Sequence, residues 1–426
     1  MKFSSAVIFA SLLFLSAGVV TRPQEAPPPS QPVKLADLLV EAERNNPQIH
    51  AARHGWQSAQ QVPTQVSTLP DPQFAVQQFS VGSPRPFAGY TNSDFAYIGL
   101  GFSQDIPYPG KLRLRGEITK KDADVLQQKY ESVRRVVLAE VKATYFQLGY
   151  LSEQATILNA DRDLLRQVEE SAEARYRSGM GNQQEVLQAQ LEQTKLLREI
   201  TTNQLEIGKI QAAIKQLLNR PQSPPDIETA TLSETPLSYT YDELLAAAKA
   251  NNPDIAGMQK VVERQKLQVD LAKKDFYPDF NLQYMWQRTD PTQYRAYYVL
   301  TFGVRIPIYR GRRQQPELAQ AEADQNRSRS EYEAESQQVA FELRQQFVSA
   351  EKSVELLKIY RDGLLPQARA ELQAGMAAYQ SNRQDFQALL ASFLDVLKLD
   401  QEYWQTLSEH ETSLAQIEEA TGLSLR

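Results

Sequence analysis

One series of residues is written twice in this chain, and it constrains the fold more than any single motif. Leu38, Leu39, Ala42, Asn45, Asn46, Pro47 and Ile49 recur as Leu244, Leu245, Ala248, Asn251, Asn252, Pro253 and Ile255, at a constant offset of 206. Further on, Leu100, Phe102, Ile106 and Pro107 recur as Leu300, Phe302, Ile306 and Pro307, and Ala123-Asp124 as Ala323-Asp324, at an offset of 200. Chance supplies one such match but not an ordered series, so one structural unit is used twice, with a shorter loop in the second copy. Pro221, Pro224, Pro225 and Pro236 fall between the copies. The expected organisation is therefore a first repeat over 33–220, a linker over 221–238 and a second repeat over 239–426.

Each copy has the same order of elements. A short helix (35–44; 242–250) leads to Asn46 or Asn252 as N-cap. Pro47 or Pro253 follows at the first helical position, where a missing N–H costs nothing. A medium helix continues to about 68 in the first copy and 276 in the second, with a kink expected at Pro63. A very long helix comes after the strands. Residues 111–177 contain no proline, and Val133, Val137, Val141, Leu148, Leu151, Leu158, Leu165 and Val168 recur at three-and-four spacing. Residues 312–379 carry Leu343, Phe347, Ala350, Val354, Leu357 and Leu364 in the same way, a coiled-coil seam. Gly363 and Pro366 predict a bend or local unwinding there. Tyr176-Arg177-Ser178-Gly179 and Tyr379-Gln380-Ser381-Asn382 end the runs with residues that accept a left-handed C-cap. Return helices follow over 183–218 and 385–420. In the first copy the medium and return helices together match the long helix in length, so they could stack end to end beside it.

Between the medium and long helices the period changes to two. Phe280, Leu282, Tyr284 and Trp286 alternate with Asn281, Gln283, Met285 and Gln287. Tyr298, Leu300, Phe302, Val304 and Ile306 alternate with Tyr297, Thr301, Gly303 and Arg305. In the first copy Ala96, Ile98, Leu100, Phe102 and Ile106 lie opposite Gly99, Gly101, Ser103 and Asp105. Such a pattern fits a hairpin packed on a helical core or strands that cross lipid. Run length tilts the reading to lipid, as do Phe95, Tyr97, Tyr284, Trp286, Tyr297 and Tyr298 crowding the run ends. Leu282, Tyr284, Trp286, Leu300, Phe302 and Val304 are then the lipid-facing set.

Composition removes other classes. The chain has 426 residues, a formal net charge of −6 and no cysteine. The charge argues against a nucleic-acid partner. The missing cysteine excludes disulfides, thiolate sites and an N-terminal lipidated cysteine. Lys2, the apolar stretch 6–20 and Ser16-Ala17-Gly18 read as a signal peptide over 1–20, followed by a proline-rich leader over 21–32. Catalytic and nucleotide-binding motifs are absent from the sequence, so it is read as a non-enzyme without a cofactor. His50 and His54 lie four apart, a metal-compatible spacing, but lack a third ligand and read as a solvated helix face. His410 reads as a plain surface residue.

In order, and twice, these residues resemble the TolC-like outer-membrane efflux proteins, over essentially 33–425. The cues are the doubled Asn-Asn-Pro, Leu69-Pro70-Asp71-Pro72 and Tyr277-Pro278-Asp279 before the strands, and Ile106-Pro107 through Lys111 and Ile306-Pro307 through Arg312 after them. Leu364-Leu365-Pro366-Gln367-Ala368 adds to these. The resemblance implies a mainly α fold of long coiled-coil helical hairpins with four transmembrane strands per chain. Three chains would complete a twelve-stranded barrel in the outer membrane of a Gram-negative-type bacterium, with the helices forming a tunnel across the periplasm. Four strands cannot close a barrel, and an open edge cannot face lipid. The implied partners are two further copies, a periplasmic adaptor protein, an inner-membrane pump and outer-membrane lipid.

The segment 107–117 looks most like the CzcC- and CusC-like heavy-metal branch, with a drug-efflux or type I protein-secretion duct as the alternative. A secreted structural coiled-coil protein is the rival of another class. In the family, acidic residues just past the helical tip select cations. Glu185 matches that place in the first copy. The second copy has Ala388 and Ala391 there, with Asp385 nearby. Tyr176, Gly179, Tyr379 and Asn382 mark the tips.

Overall fold

The computed structural model describes residues 33–79, 96–289, 296–381 and 383–425. The signal peptide, the proline-rich leader, Phe95 and Asn382 lie outside them. The first half runs α1 (Leu35–Asn45), α2 (Pro47–Ala59), α3 (Val62–Ser67), β1 (Gln73–Phe79), β2 (Tyr97–Ile106), α4 (Lys111–Arg177) and α5 (Gln183–Leu217). The second runs α6 (Tyr241–Asn251), α7 (Pro253–Lys274), β3 (Asp279–Arg288), β4 (Tyr297–Arg305) and α8 (Gln314–Ile359). A π turn (Tyr360–Leu364) then leads to α9 (Leu365–Gln380) and α10 (Phe386–Thr421). The fold is mainly helical with one small antiparallel sheet.

Helix α4 has 67 residues, about 100 Å at 1.5 Å per residue. Its length follows from the absence of proline and from apolar residues that keep finding neighbours along it. Pro63 does more than kink its helix. It sits in the first turn of α3, and the chain breaks between Ala59 and Val62, because proline offers no N–H to the preceding turn. The second long run is also divided. The π turn holds Gly363, and Pro366 stands in the first turn of α9, so the expected unwinding is a five-residue π segment.

The two asparagines of the repeated series each serve two helices. Asn46 Oδ1 accepts from the backbone N–H of Gln48 at 2.8 Å and of Ile49 at 3.3 Å, capping α2. Its Nδ2 donates to the carbonyl of Leu217, the last residue of α5, at 2.8 Å. Asn252 accepts from Asp254 and Ile255 and donates 3.1 Å to the carbonyl of Ala420 near the end of α10. One amide thus satisfies orphan donors of one helix and an orphan acceptor of another. In this way α5 meets α2, and α10 meets α7, nearly head to tail, and the broken rails lie along α4 and α8.

The core is strung along the rod. Towards the tip, Leu158, Leu165, Val168 and Ala172 of α4 pack with Ala189 and Leu196 of α5, Leu372 and Tyr379 of α9, and Phe386, Leu389 and Phe393 of α10. Further along, Val141, Tyr145 and Leu148 meet Leu38, Ala42, Ile214, Leu357 and Leu407. The linker joins this second cluster through Ile227 and Leu232. A Cβ on Gly149 would lie 2.7 Å from Leu232 Cδ2, so a larger residue at that point of α4 would push the linker's Leu232 aside.

His410 is a correction to the sequence reading. It is fully buried on α10, with Nδ1 3.2 Å from the carbonyl of Ala350 and Nε2 2.8 Å from that of Thr235. The linker covers it, a long-range contact that helical periodicity does not report. His50 and His54 stack at 6.5 Å between ring centroids, and each ring binds a local oxygen, of Arg44 and Gln57 respectively.

Candidate functional site

Two regions carry the residues singled out in the sequence: the sheet at one end of the rod and the helical tip at the other. Sheet order is β1-β2-β3-β4, all antiparallel. Register aligns the side chains in rows. Val76, Leu100, Trp286 and Tyr298 form one row, and Phe74, Phe102, Tyr284 and Leu300 the next. Gln104, Leu282 and Phe302 follow, then Ile106, Phe280 and Val304. All six residues expected to face lipid therefore share one face.

That face is apolar except at Gln104 and the Gln78–Ile98–Arg288 end. Nothing among the described residues covers most of it: Phe74 is 79% exposed and Phe302 64%. Phe280 stacks on Phe302 at 5.8 Å and Tyr284 on Tyr298 at 6.0 Å. The opposite face carries Gln73, Gln77, Ser103, Asp105, Asn281, Gln283, Gln287 and Thr301. There Asn281 Nδ2 donates 2.9 Å to Asp105.

A charged knot ties the sheet to the rod. Lys111, buried at the start of α4, reaches Asp279 of β3 at 2.9 Å and Asp275 at 3.0 Å. The backbone N–H of Tyr108 donates to the same Asp279 oxygen at 2.8 Å. Tyr108 stacks on Tyr277 at 4.6 Å, with the Lys274 ammonium over both rings. Gly110-Lys111 and Tyr277-Pro278-Asp279 are thus two halves of one joint.

At the tip, Gly179 adopts φ +74°, the left-handed cap its sequence suggested. Tyr176 is exposed, whereas its counterpart Tyr379 is 1% exposed. Tyr379 donates its hydroxyl to Glu185 Oε2 at 2.8 Å. Its ring lies 4.4 Å beneath the Arg175 guanidinium, which also donates to the Tyr379 carbonyl at 2.6 Å. Burial, and then the Glu185 carboxylate, push the Tyr379 phenol well above its ordinary value. The structure therefore joins Glu185 directly to Tyr379 across the two hairpins, beneath an arginine that the sequence pattern did not single out. Adjacency to Tyr176 was its only signal. Asp385 stands apart from this group as the N-cap of α10, accepting from the Ala388 N–H at 2.8 Å.

Among the described residues no group of three or more His, Asp or Glu could hold a metal, and no helix is long and apolar enough to cross a membrane. A family model described as "Outer membrane efflux protein" matches residues 38–220 and 244–421. The multidrug resistance outer membrane protein MdtQ of Escherichia coli O6:H1 (strain CFT073) is 25% identical over 329 residues, 72% of this chain and 65% of the relative. This chain therefore spans just under two thirds of that relative's length. The pyoverdine export outer membrane protein OpmQ of Pseudomonas putida (strain KT2440) is 22% identical over 89% of this chain and 84% of its own. Among solved structures, one of CusC superposes with a TM-score of 0.78 at 18% identity, covering 92% of each chain. VceC of Vibrio cholerae gives 0.77 at 18%, covering 92% of this chain and 97% of its own. At such identities these structures speak for the fold alone.

Proposed function

The chain belongs to the outer membrane efflux protein family, and from that premise we propose that it is the outer-membrane duct of a tripartite efflux system. One observation carries the reading: among the described residues, a sheet with a largely apolar, uncovered face and two edges without a partner strand stands at one end of a helical rod about 100 Å long. In water that face costs free energy, whereas in lipid it is solvated and only the edges need partners. Two further copies supply those edges, so three chains make twelve strands. The polar face then lines a water-filled lumen, and the helices carry the passage through the periplasm to an adaptor and an inner-membrane pump. Conduction is passive; the pump does the work.

Small organic molecules are the favoured cargo, because the matched sequence relatives are named for multidrug resistance and pyoverdine export. Likeness to CusC is one of fold, so the heavy-metal reading rests on segment 107–117 alone. Deleting the gene in its host should raise sensitivity to amphiphilic organic toxins at least fourfold, with full rescue by the intact chain. Sensitisation confined to metal salts would move the cargo to cations and leave the duct standing.

A further inference from the structure

His410 of α10 is fully buried, and both of its ring nitrogens face carbonyl oxygens. Nε2 lies 2.8 Å from the carbonyl of Thr235 in the linker, and Nδ1 lies 3.2 Å from that of Ala350 in α8. A carbonyl oxygen only accepts. A neutral imidazole has one N–H, so in either tautomer one nitrogen turns its lone pair on an oxygen. The imidazolium has two N–H groups and donates to both carbonyls. Only the doubly protonated ring satisfies this geometry.

A buried cation needs a counter-charge close by. Glu411, the next residue of α10 and 2% exposed, is placed to supply it. One of its oxygens accepts from the backbone N–H of Thr235 at 2.7 Å and the other from the Thr235 hydroxyl at 3.0 Å. With both oxygens accepting, the group has the geometry of a carboxylate. Thr235 is thus gripped on every side, its N–H and hydroxyl by Glu411 and its carbonyl by His410. The other charged groups near this point have their own partners or lie at the surface. In the linker Glu234 bonds Arg361 of the π turn at 2.9 Å. On α8 Lys352 pairs with Glu355, and Arg344 stands over the Tyr241 ring of α6. Glu409 of α10 accepts from Gln405 and its charge acts on Tyr150 of α4, whereas Lys142 of α4 pairs with Glu418. Glu351 of α8 and Asp242 and Glu243 of α6 are exposed.

We propose that His410 is a proton-operated clasp that fastens the linker between the repeats to the second hairpin, tying Thr235 to Ala350 while both ring nitrogens are protonated and letting the linker's end go when one proton leaves. The two bonds exist only in the folded chain, so losing the proton and releasing the linker are coupled. The clasp is therefore made at low pH and opens as pH rises through the titration of the ring. Imidazole is the side chain suited to this, because its charge changes close to neutrality. The release reaches further than Thr235. Glu234, the residue before it, holds Arg361, so a loosened linker also slackens its grip on the π turn between α8 and α9.

The chain has three histidines, so nuclear magnetic resonance of the full-length protein in detergent, labelled only at histidine nitrogens, separates their rings. The bonds of His50 and His54 are exposed, which leaves the signals protected from solvent exchange to His410. That ring should carry two N–H groups at pH 5.5 and one bare nitrogen at pH 9. Hydrogen–deuterium exchange of wild type against His410→Gln at the same pH then reads the linker while intrinsic exchange cancels. At pH 5.5, residues 232–238 should exchange several-fold more slowly in the wild type, and at pH 9 the gap should fall below about twofold. The wild-type spectrum alone decides the matter should His410→Gln fail to fold. A bare ring nitrogen at pH 5.5, two protons kept at pH 9, or one and the same exchange ratio at both pH values would overturn the proposal.

Discussion

Single side chains decide which way the sheet faces. Trp286 and Phe302 lie in the apolar rows, whereas Gln283 lies across the strand beside Ser103 and Thr301. A lysine at the bilayer midplane costs about 2–4 kcal/mol, so Trp286→Lys and Phe302→Lys should block assembly while Gln283→Lys should not. Trimer yield on native gels reads this directly, and equal yields from all three would reverse the faces. At the tip, Glu185 accepts from Tyr379, and three copies of its carboxylate around an axis would concentrate negative potential at the mouth. Glu185→Gln should therefore reduce cation preference in single-channel recordings. Asp385→Asn should act more weakly and leave α10 intact, because asparagine caps a helix as well as aspartate. Unchanged selectivity in the double variant, with normal trimers, would make both acids surface groups.

At the scale of elements, the joints built on Asn46 and Asn252 decide whether short helices act as long ones. Asn46→Ala removes two N-cap bonds and the bond to Leu217 together. The expected loss is about 1–3 kcal/mol, from a cap and one further buried bond. Asn46→Asp keeps the cap but sets a carboxylate against the Leu217 carbonyl, so it should recover only part of that loss. Thermal unfolding followed by circular dichroism orders the three proteins. An aspartate variant as stable as wild type would mean that the link between α5 and α2 contributes nothing. The doubled Asn-Pro was legible as a cap, since capping is a matter of neighbours in sequence. Its second role was not, because Leu217 stands 171 positions away.

For the whole molecule the question is closure. Among the described residues β1 and β4 have no further partner strand and the rows between them are uncovered, which leaves a lone copy unsuited to water and to lipid alike. Exposed apolar residues also run along the helices, Leu187, Leu191, Leu197 and Leu205 on α5 and Phe341, Val348, Leu356 and Ile359 on α8. Helix faces of this kind are surfaces that further copies can cover. Native mass measurement in detergent should therefore give three chains, and a stable monomer would remove the barrel.

The sequence by itself determined the elements, their order and the apolar face of the strands. Each of these depends on periodicity and on caps that act within a few residues: Pro63, Gly179 and the alternation from Phe280 to Trp286 are read where they stand. Tertiary structure alone decided which distant groups meet. His410 looked like a surface residue until the linker covered it at Thr235. Tyr176 and Tyr379 occupy matching places in sequence, yet only Tyr379 is buried beneath Arg175 and bonded to Glu185. A helix period tells which side of a rod is apolar, but not which neighbour that side will find, because packing pairs residues by position in space and the two copies bury unlike partners.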